Sequence, residues 1–435
     1  MLSWEKLSNS SFIASISSLF FRGISVLSSF LVGWVVSRLL GVEFAGEALF
    51  FLTCITVAVV VSTLGYDSAI SKLAAESKGM GLDKLKEILF RCCVRVVAPS
   101  FLCAVLFFSY QILITKAWAF GVWAHSALAI AATFSCILSL TLLNMFSFVF
   151  QGLGKISLTI FSQRTIFNLF LAFLLLIGFW FFKSMKVDWL LKFTYASIIF
   201  SAFASLLFIL KILLFSTLKG GRSPLTNEEK TAFSDFSRHA YRISLAQLLS
   251  IYSIQFIISF LSDMGNMSGY LISGRISSVL AFFILAVSNV LMPKIAQSFY
   301  NKDSSNLKLN YKKSIVFSSA FGLPIFFVMF YFSKEILYLF GDGFDKYHVV
   351  LEVLLIGQAI NCLTGASDMV LTYMGGVREH KRNVYIGVMI SLVVSFILIP
   401  QYGAVGAAIA SLLSSSIVNV LDVYFIQRRL RFGRD

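Results

Sequence analysis

Residues 37 to 77, SRLLGVEFAGEALFFLTCITVAVVVSTLGYDSAISKLAAES, decide how this chain must fold. The apolar run from 45 to 66 is long enough, at 1.5 Å per residue, to cross a hydrocarbon core about 30 Å thick. It follows another apolar run, 12 to 38, and gives way to a loop carrying Lys72. This unit, two spans and then a basic loop, recurs along the chain. Further spans are predicted at 92 to 114, 122 to 148, 157 to 182, 190 to 216, 241 to 262, 268 to 292, 314 to 333, 347 to 372, 383 to 400 and 404 to 427, making about twelve.

Composition agrees that lipid is the main solvent. Of 435 residues, 58% are hydrophobic and 13% charged, with a mean hydropathy of +0.85, too apolar for a water-facing surface. The charge sums to +15, and the positions of the basic residues test the span count. Lys72, Lys78, Lys84, Lys86 and Arg91, then Lys219, Arg222, Lys230, Arg238 and Arg242, then Lys294, Lys302, Lys308, Lys312 and Lys313, then Arg378, Lys381 and Arg382 share one face with the tail Arg428, Arg429, Arg431 and Arg434. About 24 basic residues fall on that face and about 6 on the other, which predicts both termini cytoplasmic. The charge then reads as loops facing anionic lipid, with no nucleic-acid partner. The run after MLSWEKLSNSS is too long for a signal peptide and reads as a retained first span. Cys54, Cys92, Cys93, Cys103, Cys136 and Cys362 lie in or beside apolar runs without metal-type spacing and read as packing residues.

Overlaying 1 to 216 on 224 to 435 at an offset of about 223 brings several features into register. AGEALFF (Ala45 to Phe51) falls on SGYLISG (Ser268 to Gly274), and Lys72 falls within a residue of Lys294. QGLGK (Gln151 to Lys155) falls on MGGVR (Met374 to Arg378), pairing Gly152 with Gly375, and Pro99 falls near Pro324. An offset of six spans predicts two co-oriented halves, 1 to 216 and 241 to 435, joined by a cytoplasmic linker at 217 to 240, around a central cavity. Pro99 and Pro324 read either as hinges or as static bends.

Ionisable residues inside spans are site candidates because burying them is costly. Arg22 lies about ten residues into span one, roughly 15 Å deep. Arg275 lies about seven residues into span eight, some 10 Å from the outer boundary, and Arg164 is at similar depth in span five on the cytoplasmic side. Each is open to two readings, an anion-binding role or a structural anchor. The intraspan acids Glu47, Glu352, Asp368 and Asp422 lie near span ends, so the cations favour an anionic ligand such as phosphate. Glu47 and Asp368 are also candidates for ion coupling, against salt bridging or capping. The histidines His125, His239, His348 and His380 are scattered and there is no GxxxxGK[ST] loop. That predicts a transporter driven by a gradient, neither an enzyme nor a user of a cofactor.

SRLLGVEFAGEALFFLT and LGYDSAISKLAAES (Ser37 to Ser77), FVFQGLGK (Phe148 to Lys155), VLMPKIAQSF (Val290 to Phe299), EILYLFGDGFD (Glu335 to Asp345) and IPQYGAVGAAIAS (Ile399 to Ser411) carry a resemblance. Their order and spacing resemble the Wzx-type polysaccharide (O-antigen) flippases of the multidrug/oligosaccharidyl-lipid/polysaccharide (MOP) exporter superfamily. The resemblance implies a MATE/MOP-like all-α polytopic fold in the bacterial inner membrane. It also implies translocation of an undecaprenyl-pyrophosphate-linked oligosaccharide to the periplasmic leaflet by alternating access, for O-antigen or similar lipopolysaccharide synthesis. The implied partners are the lipid-linked oligosaccharide, membrane lipids, a polysaccharide polymerase and a chain-length regulator. Family arginines on spans one and eight match Arg22 and Arg275. The related lipid II flippases carry fourteen spans and an arginine on span two, where this chain offers Glu47. The alternative within the superfamily is a multidrug/cation antiporter, which predicts midplane acids in the first half. A major-facilitator loop of the G-x-x-x-D-R-x-G-R-R type is absent after span two, and the outer loops are too short for a membrane glycosyltransferase or polymerase. At the repeat offset Leu245 stands opposite Arg22 and Leu52 opposite Arg275, so the scaffold repeats but the proposed site does not.

Overall fold

The computed structural model describes residues 4–76, 83–114, 127–181, 187–216 and 226–432. Lys78, His125, Lys219, Arg222, Arg434 and the start of the predicted linker, 217–225, lie outside the described residues. Every extended element among the described residues is helical, with no strand.

The chain opens with α1 (Trp4–Ser62), whose helical geometry breaks at Gly41 (φ 71°, ψ −177°). It continues with α2 (Tyr66–Glu76), α3 (Asp83–Arg95), α4 (Val97–Ile114), α5 (Ala127–Gly152) and α6 (Ile156–Ile160). A π-helical turn (Phe161–Thr165) leads into α7 (Ile166–Phe181), followed by α8 (Val187–Ser216) and α9 (Asn227–Leu261). The remainder is α10 (Met264–Tyr300), α11 (Ser304–Tyr331), α12 (Ser333–Tyr338), α13 (His348–Thr364), α14 (Ser367–Tyr373), α15 (Val377–Tyr402) and α16 (Ala404–Phe432).

Ten stretches among the described residues are long and apolar enough to cross a membrane. Two of these, Phe20–Ser62 and Val377–Arg431, run for 43 and 55 residues, each enough for two crossings of a core about 30 Å thick. Both are divided by a glycine of positive φ, Gly41 and Gly403, so the described residues hold twelve segments long enough to cross, the number expected from the sequence. The chain is a multi-pass integral membrane protein.

Two compact units are formed, one from Met1–Leu39 and Phe50–Leu249, the other from Leu40–Leu49 and Ser250–Asp435. The polar stretch from 227 onward is the start of α9, opened by a capping box in which the Thr226 amide donates to Glu229 Oε2 (2.9 Å) and the Glu229 amide to Thr226 Oγ1 (3.3 Å). In the first unit α2 packs on α3 and α5 through Tyr66, Ile70, Ile88, Cys92, Met145 and Val149. In the second, Leu291, Met292 and Ile295 of α10 meet Tyr311, Val370, Leu371 and Ile426. The segment 40 to 49 joins the second unit by backbone contact: a Cβ at Gly46 would run into the Met264 carbonyl. All six cysteines are free.

Two turns that the proposed repeat aligns share one geometry, in a shifted register. After α5 the Lys155 amide donates to the Phe150 carbonyl (2.8 Å) and the Gly154 amide to Gln151 (2.9 Å), with Gly154 at φ 78°. After α14 the Gly376 amide donates to Leu371 (2.9 Å) and the Gly375 amide to Thr372 (3.0 Å), with Gly375 at φ 80°. Both are Schellman terminations, and only glycine holds that left-handed position without strain. The structural partner of Gly375 is therefore Gly154 rather than Gly152, which instead sits so close to α2 that a Cβ would strike the Ser71 carbonyl and Ala74.

The two prolines differ. The junction of α3 and α4 falls at Val96, just past Arg95, whose carbonyl the Pro99 ring would otherwise meet four residues on. Pro324 sits on an exposed face inside the unbroken α11.

Candidate functional site

In the first unit the site is built where spans one and five lie side by side. Phe21 of α1 meets Phe161 at 5.4 Å between ring centroids, and Trp34 meets Phe179 at 6.1 Å, so the two helices run parallel. Span five starts at the Gly154 turn and is interrupted by the π turn Phe161–Thr165. Within it the Thr165 hydroxyl donates to the carbonyl five residues back, Ile160 (3.2 Å), and the Ser162 hydroxyl to Thr159 (3.1 Å). A π turn adds a residue to the helical repeat and re-aims the side chains on it, an arrangement common at functional sites.

Arg22 adjoins Phe21 and is half-buried, with no hydrogen bond or ion pair to another described residue. The Phe21–Phe161 contact sets it level with a point about six residues beyond Lys155, roughly 9 Å along span five. The same contact brings α1 beside the backbone of Arg164, which lies in the π turn; the Arg164 side chain lies outside the described residues. The structure thus places Arg22 and Arg164 on adjacent turns of neighbouring helices.

In the second unit Arg275 lies eleven residues past Met264, where α10 begins, about 16 Å along the helix. That is further along the helix than the apolar run suggests, because Asp263 caps α10 early: its side chain accepts from the Asn266 amide (2.7 Å) and the Asn266 Nδ2 (2.7 Å). Arg275 is flanked by Ser273, Gly274, Ser277 and Ser278, a run of small residues around a long cation. Space for at least a methyl group is open at Gly274.

Glu47 is 4% exposed and neither carboxyl oxygen has a hydrogen-bond partner among the described residues. It lies next to Gly46, where α1 touches the first turn of α10. Asp368, by contrast, is exposed in the first turn of α14. Glu352 accepts from the Ser333 hydroxyl (2.7 Å), a structural bond.

One constellation was not anticipated from the sequence. Asp422 of α16 is fully buried and accepts from His380 Nδ1 (2.8 Å) and Asn383 Nδ2 (2.8 Å), both on α15. The available signal was hairpin reflection: His380 and Asp422 stand 23 and 19 residues either side of Gly403, so an antiparallel pair of helices brings them together.

These features define a polytopic all-helical membrane architecture with cations inside apolar helices of both units. Comparison with known proteins gives it a more particular fold. Residues 243–400 match the MatE family profile. Over 39% of this chain and 36% of the relative, the sequence is 28% identical to the probable low-salt glycan biosynthesis flippase Agl15 of Haloferax volcanii. Over 47% of this chain and 49% of the relative, it is 26% identical to an uncharacterized membrane protein of Methanocaldococcus jannaschii. The chain thus spans less than half the length of the curated relatives it matches. Among solved structures it is similar to the lipid II flippase MurJ in an inward closed conformation (TM-score 0.69, 13% identity, 96% of this chain and 87% of that one). It is also similar to an inward-facing multidrug resistance MATE family transporter of the MOP superfamily (TM-score 0.65, 13% identity, 96% and 98%). The fold of this chain is that of the MATE/MOP transporters.

Proposed function

We propose that this protein is a flippase that moves a polyprenyl-pyrophosphate-linked oligosaccharide across the membrane by alternating access. In the bacterial setting implied by the sequence resemblance, the carrier is undecaprenyl pyrophosphate, the glycan an O-antigen-type repeat unit, and transfer runs from the cytoplasmic to the periplasmic leaflet of the inner membrane. The observation that carries this reading is Arg22, a guanidinium inside a span with no acid bonded to it among the described residues. A cation held in that state is costly unless a ligand supplies the counter-charge, and a pyrophosphate offers it with bidentate geometry. Arg164, one helix away, and Arg275 in the second unit extend the same chemistry. The likeness to a glycan biosynthesis flippase supports a lipid-linked glycan as the substrate class.

The multidrug/cation antiporter reading draws on the MATE neighbours and on one residue, the buried Glu47. Its location beside the start of α10 suits an ion-coupling or gating carboxyl as well as a drug site, and the same burial that favours Glu47 for coupling disfavours Asp368. Pro99, in the first turn of α4 beside the break at Val96, is the better placed of the two hinge candidates.

Complementation decides between the readings. Expressed in a strain lacking its own flippase but making a matched lipid-linked glycan, the chain restores surface polysaccharide. Failure to restore it, together with resistance to cationic drugs in the same cells, overturns the flippase reading in favour of the antiporter.

A further inference from the structure

The α15–α16 hairpin contains a polar interior that substrate binding at Arg22, Arg164 and Arg275 does not use. Asp422 is at 0% exposure, with one carboxylate oxygen on His380 Nδ1 and the other on Asn383 Nδ2. The Asn383 side-chain oxygen is buried without a partner among the described residues. From Asn383 a file of small groups continues along the buried face of α15 at four-residue steps: Gly387, Ser391 and Ser395. The Ser391 and Ser395 hydroxyls are buried and unpartnered among the described residues, and the Gly387 carbonyl accepts from Ser414 (2.8 Å). Asn383 to Ser395 covers about 18 Å of helix. Buried polar groups are ordinarily satisfied, so a carboxylate with a file of spare donors and acceptors behind it is an arrangement that needs an explanation.

We propose that His380 and Asp422 form a proton-binding site in the second unit. With imidazole neutral, the pair carries one buried negative charge; binding one proton at His380 Nε2 gives an imidazolium–carboxylate pair of zero net charge. The His380 side chain is 26% exposed, which gives the proton an entrance, whereas Asp422 has none of its own. Imidazole is the side chain suited to take up and release a proton near neutral pH.

The surroundings leave the pair as the local proton acceptor. On α15 itself, Glu379 is bonded to Arg429, Arg382 lies over the Phe425 ring at 4.9 Å, and Lys381 lies over Tyr385 at 5.7 Å, with Arg378 in the same first turn. From α14 the exposed Asp368 acts on His380, and from α11 Tyr311 faces Asp422 while donating its hydroxyl to the Thr364 carbonyl (3.2 Å). From α13, Asn361 is bonded to Asn419 of α16, and α10 meets the hairpin through the apolar Leu291, Met292 and Ile295.

This inference names the coupling ion of the proposed transport and rests on that reading only for its coupling role, so the experiment separates the two. Thermal midpoints of the purified full-length protein are measured from pH 5 to 8 for wild type, His380→Gln and Asp422→Asn. Glutamine keeps a donor but cannot titrate. The wild-type midpoint shifts across this range by several degrees more than that of either variant; superimposable profiles overturn the site. Selective 15N-histidine NMR of the wild type covers the case in which both variants fail to fold. One of the four histidines is expected to hold a fixed Nδ1–H tautomer when neutral, and free tautomer exchange at all four contradicts the proposal. If the pH profiles differ while complementation fails, the proton site stands and the flippase reading falls; the converse result removes the site alone.

Discussion

Alanine substitution at three glycines separates two kinds of constraint and tests the repeated turn directly. At Gly375 the φ of 80° is the whole constraint, since a Cβ would find nothing nearer than the Arg429 Nη1 and Phe299 Cζ at 3.9 Å. Gly375→Ala therefore carries only the left-handed penalty, about 1–2 kcal/mol, and Gly375→Asn less, because asparagine tolerates that region. Gly154, with φ 78° and the same pair of terminating bonds, is predicted to match it. At Gly152 the constraint is space: its Cβ would overlap the Ser71 carbonyl, the Ala74 Cβ and the Ala75 amide nitrogen. Because backbone cannot rotate away, α2 must move, and overpacking of this kind costs about 1–3 kcal/mol. For a unit of this size each kcal/mol lowers the melting midpoint by about 2–4 °C. Fluorescence-monitored melting in detergent should give equal losses for Gly154→Ala and Gly375→Ala, a partial rescue by Gly375→Asn, and an equal or larger loss for Gly152→Ala. A neutral Gly152→Ala, or an asparagine variant worse than alanine, would refute the reasoning.

Other outcomes follow from the same structure. Gly46→Val should lower the melting midpoint by several degrees, since α1 approaches the Met264 carbonyl too closely for a side chain; an unchanged midpoint contradicts that contact. Asp263→Ala removes the cap of α10 and should cost about 1 kcal/mol, read as a lower midpoint that Asp263→Ser or Asn largely recovers. Pro99→Ala should reduce polysaccharide export at normal expression, while Pro324→Ala, on the exposed face of an unbroken helix, should leave it within twofold of wild type.

Hydropathy made the span-length helices legible, because a bilayer imposes a minimum apolar length on every span. Glycines marked the breaks, but their register was ambiguous: Gly152 and Gly154 are equivalent in the pattern, and only the hydrogen bonds of the turn show which one is left-handed. Helix starts were read less well, since Arg275 lies further along its helix than the apolar run suggests once Asp263 is seen to cap it. The π turn at Phe161–Thr165 had no sequence signature, as one added residue barely alters an apolar pattern. His380 and Asp422 looked like residues of span ends because each was weighed on its own helix; their chemistry exists only across the hairpin. Arg22, Arg164 and Arg275 stand out as candidates for the opposite reason, since a guanidinium within an apolar run is conspicuous in one dimension.

The central claim is that intramembrane arginines recognise a lipid-linked pyrophosphate, and translocation in proteoliposomes tests it most directly. With a fluorescent polyprenyl-pyrophosphoryl oligosaccharide in the bilayer, wild type should expose the inner-leaflet pool to an external quencher. Arg22→Ala should slow this by about 10- to 100-fold, the loss of one charge-assisted phosphate contact worth about 1.5–3 kcal/mol, with Arg275→Ala also slowed and Arg22→Lys partly active. Wild-type vesicles no faster than empty ones, or full activity in both alanine variants, would contradict the account.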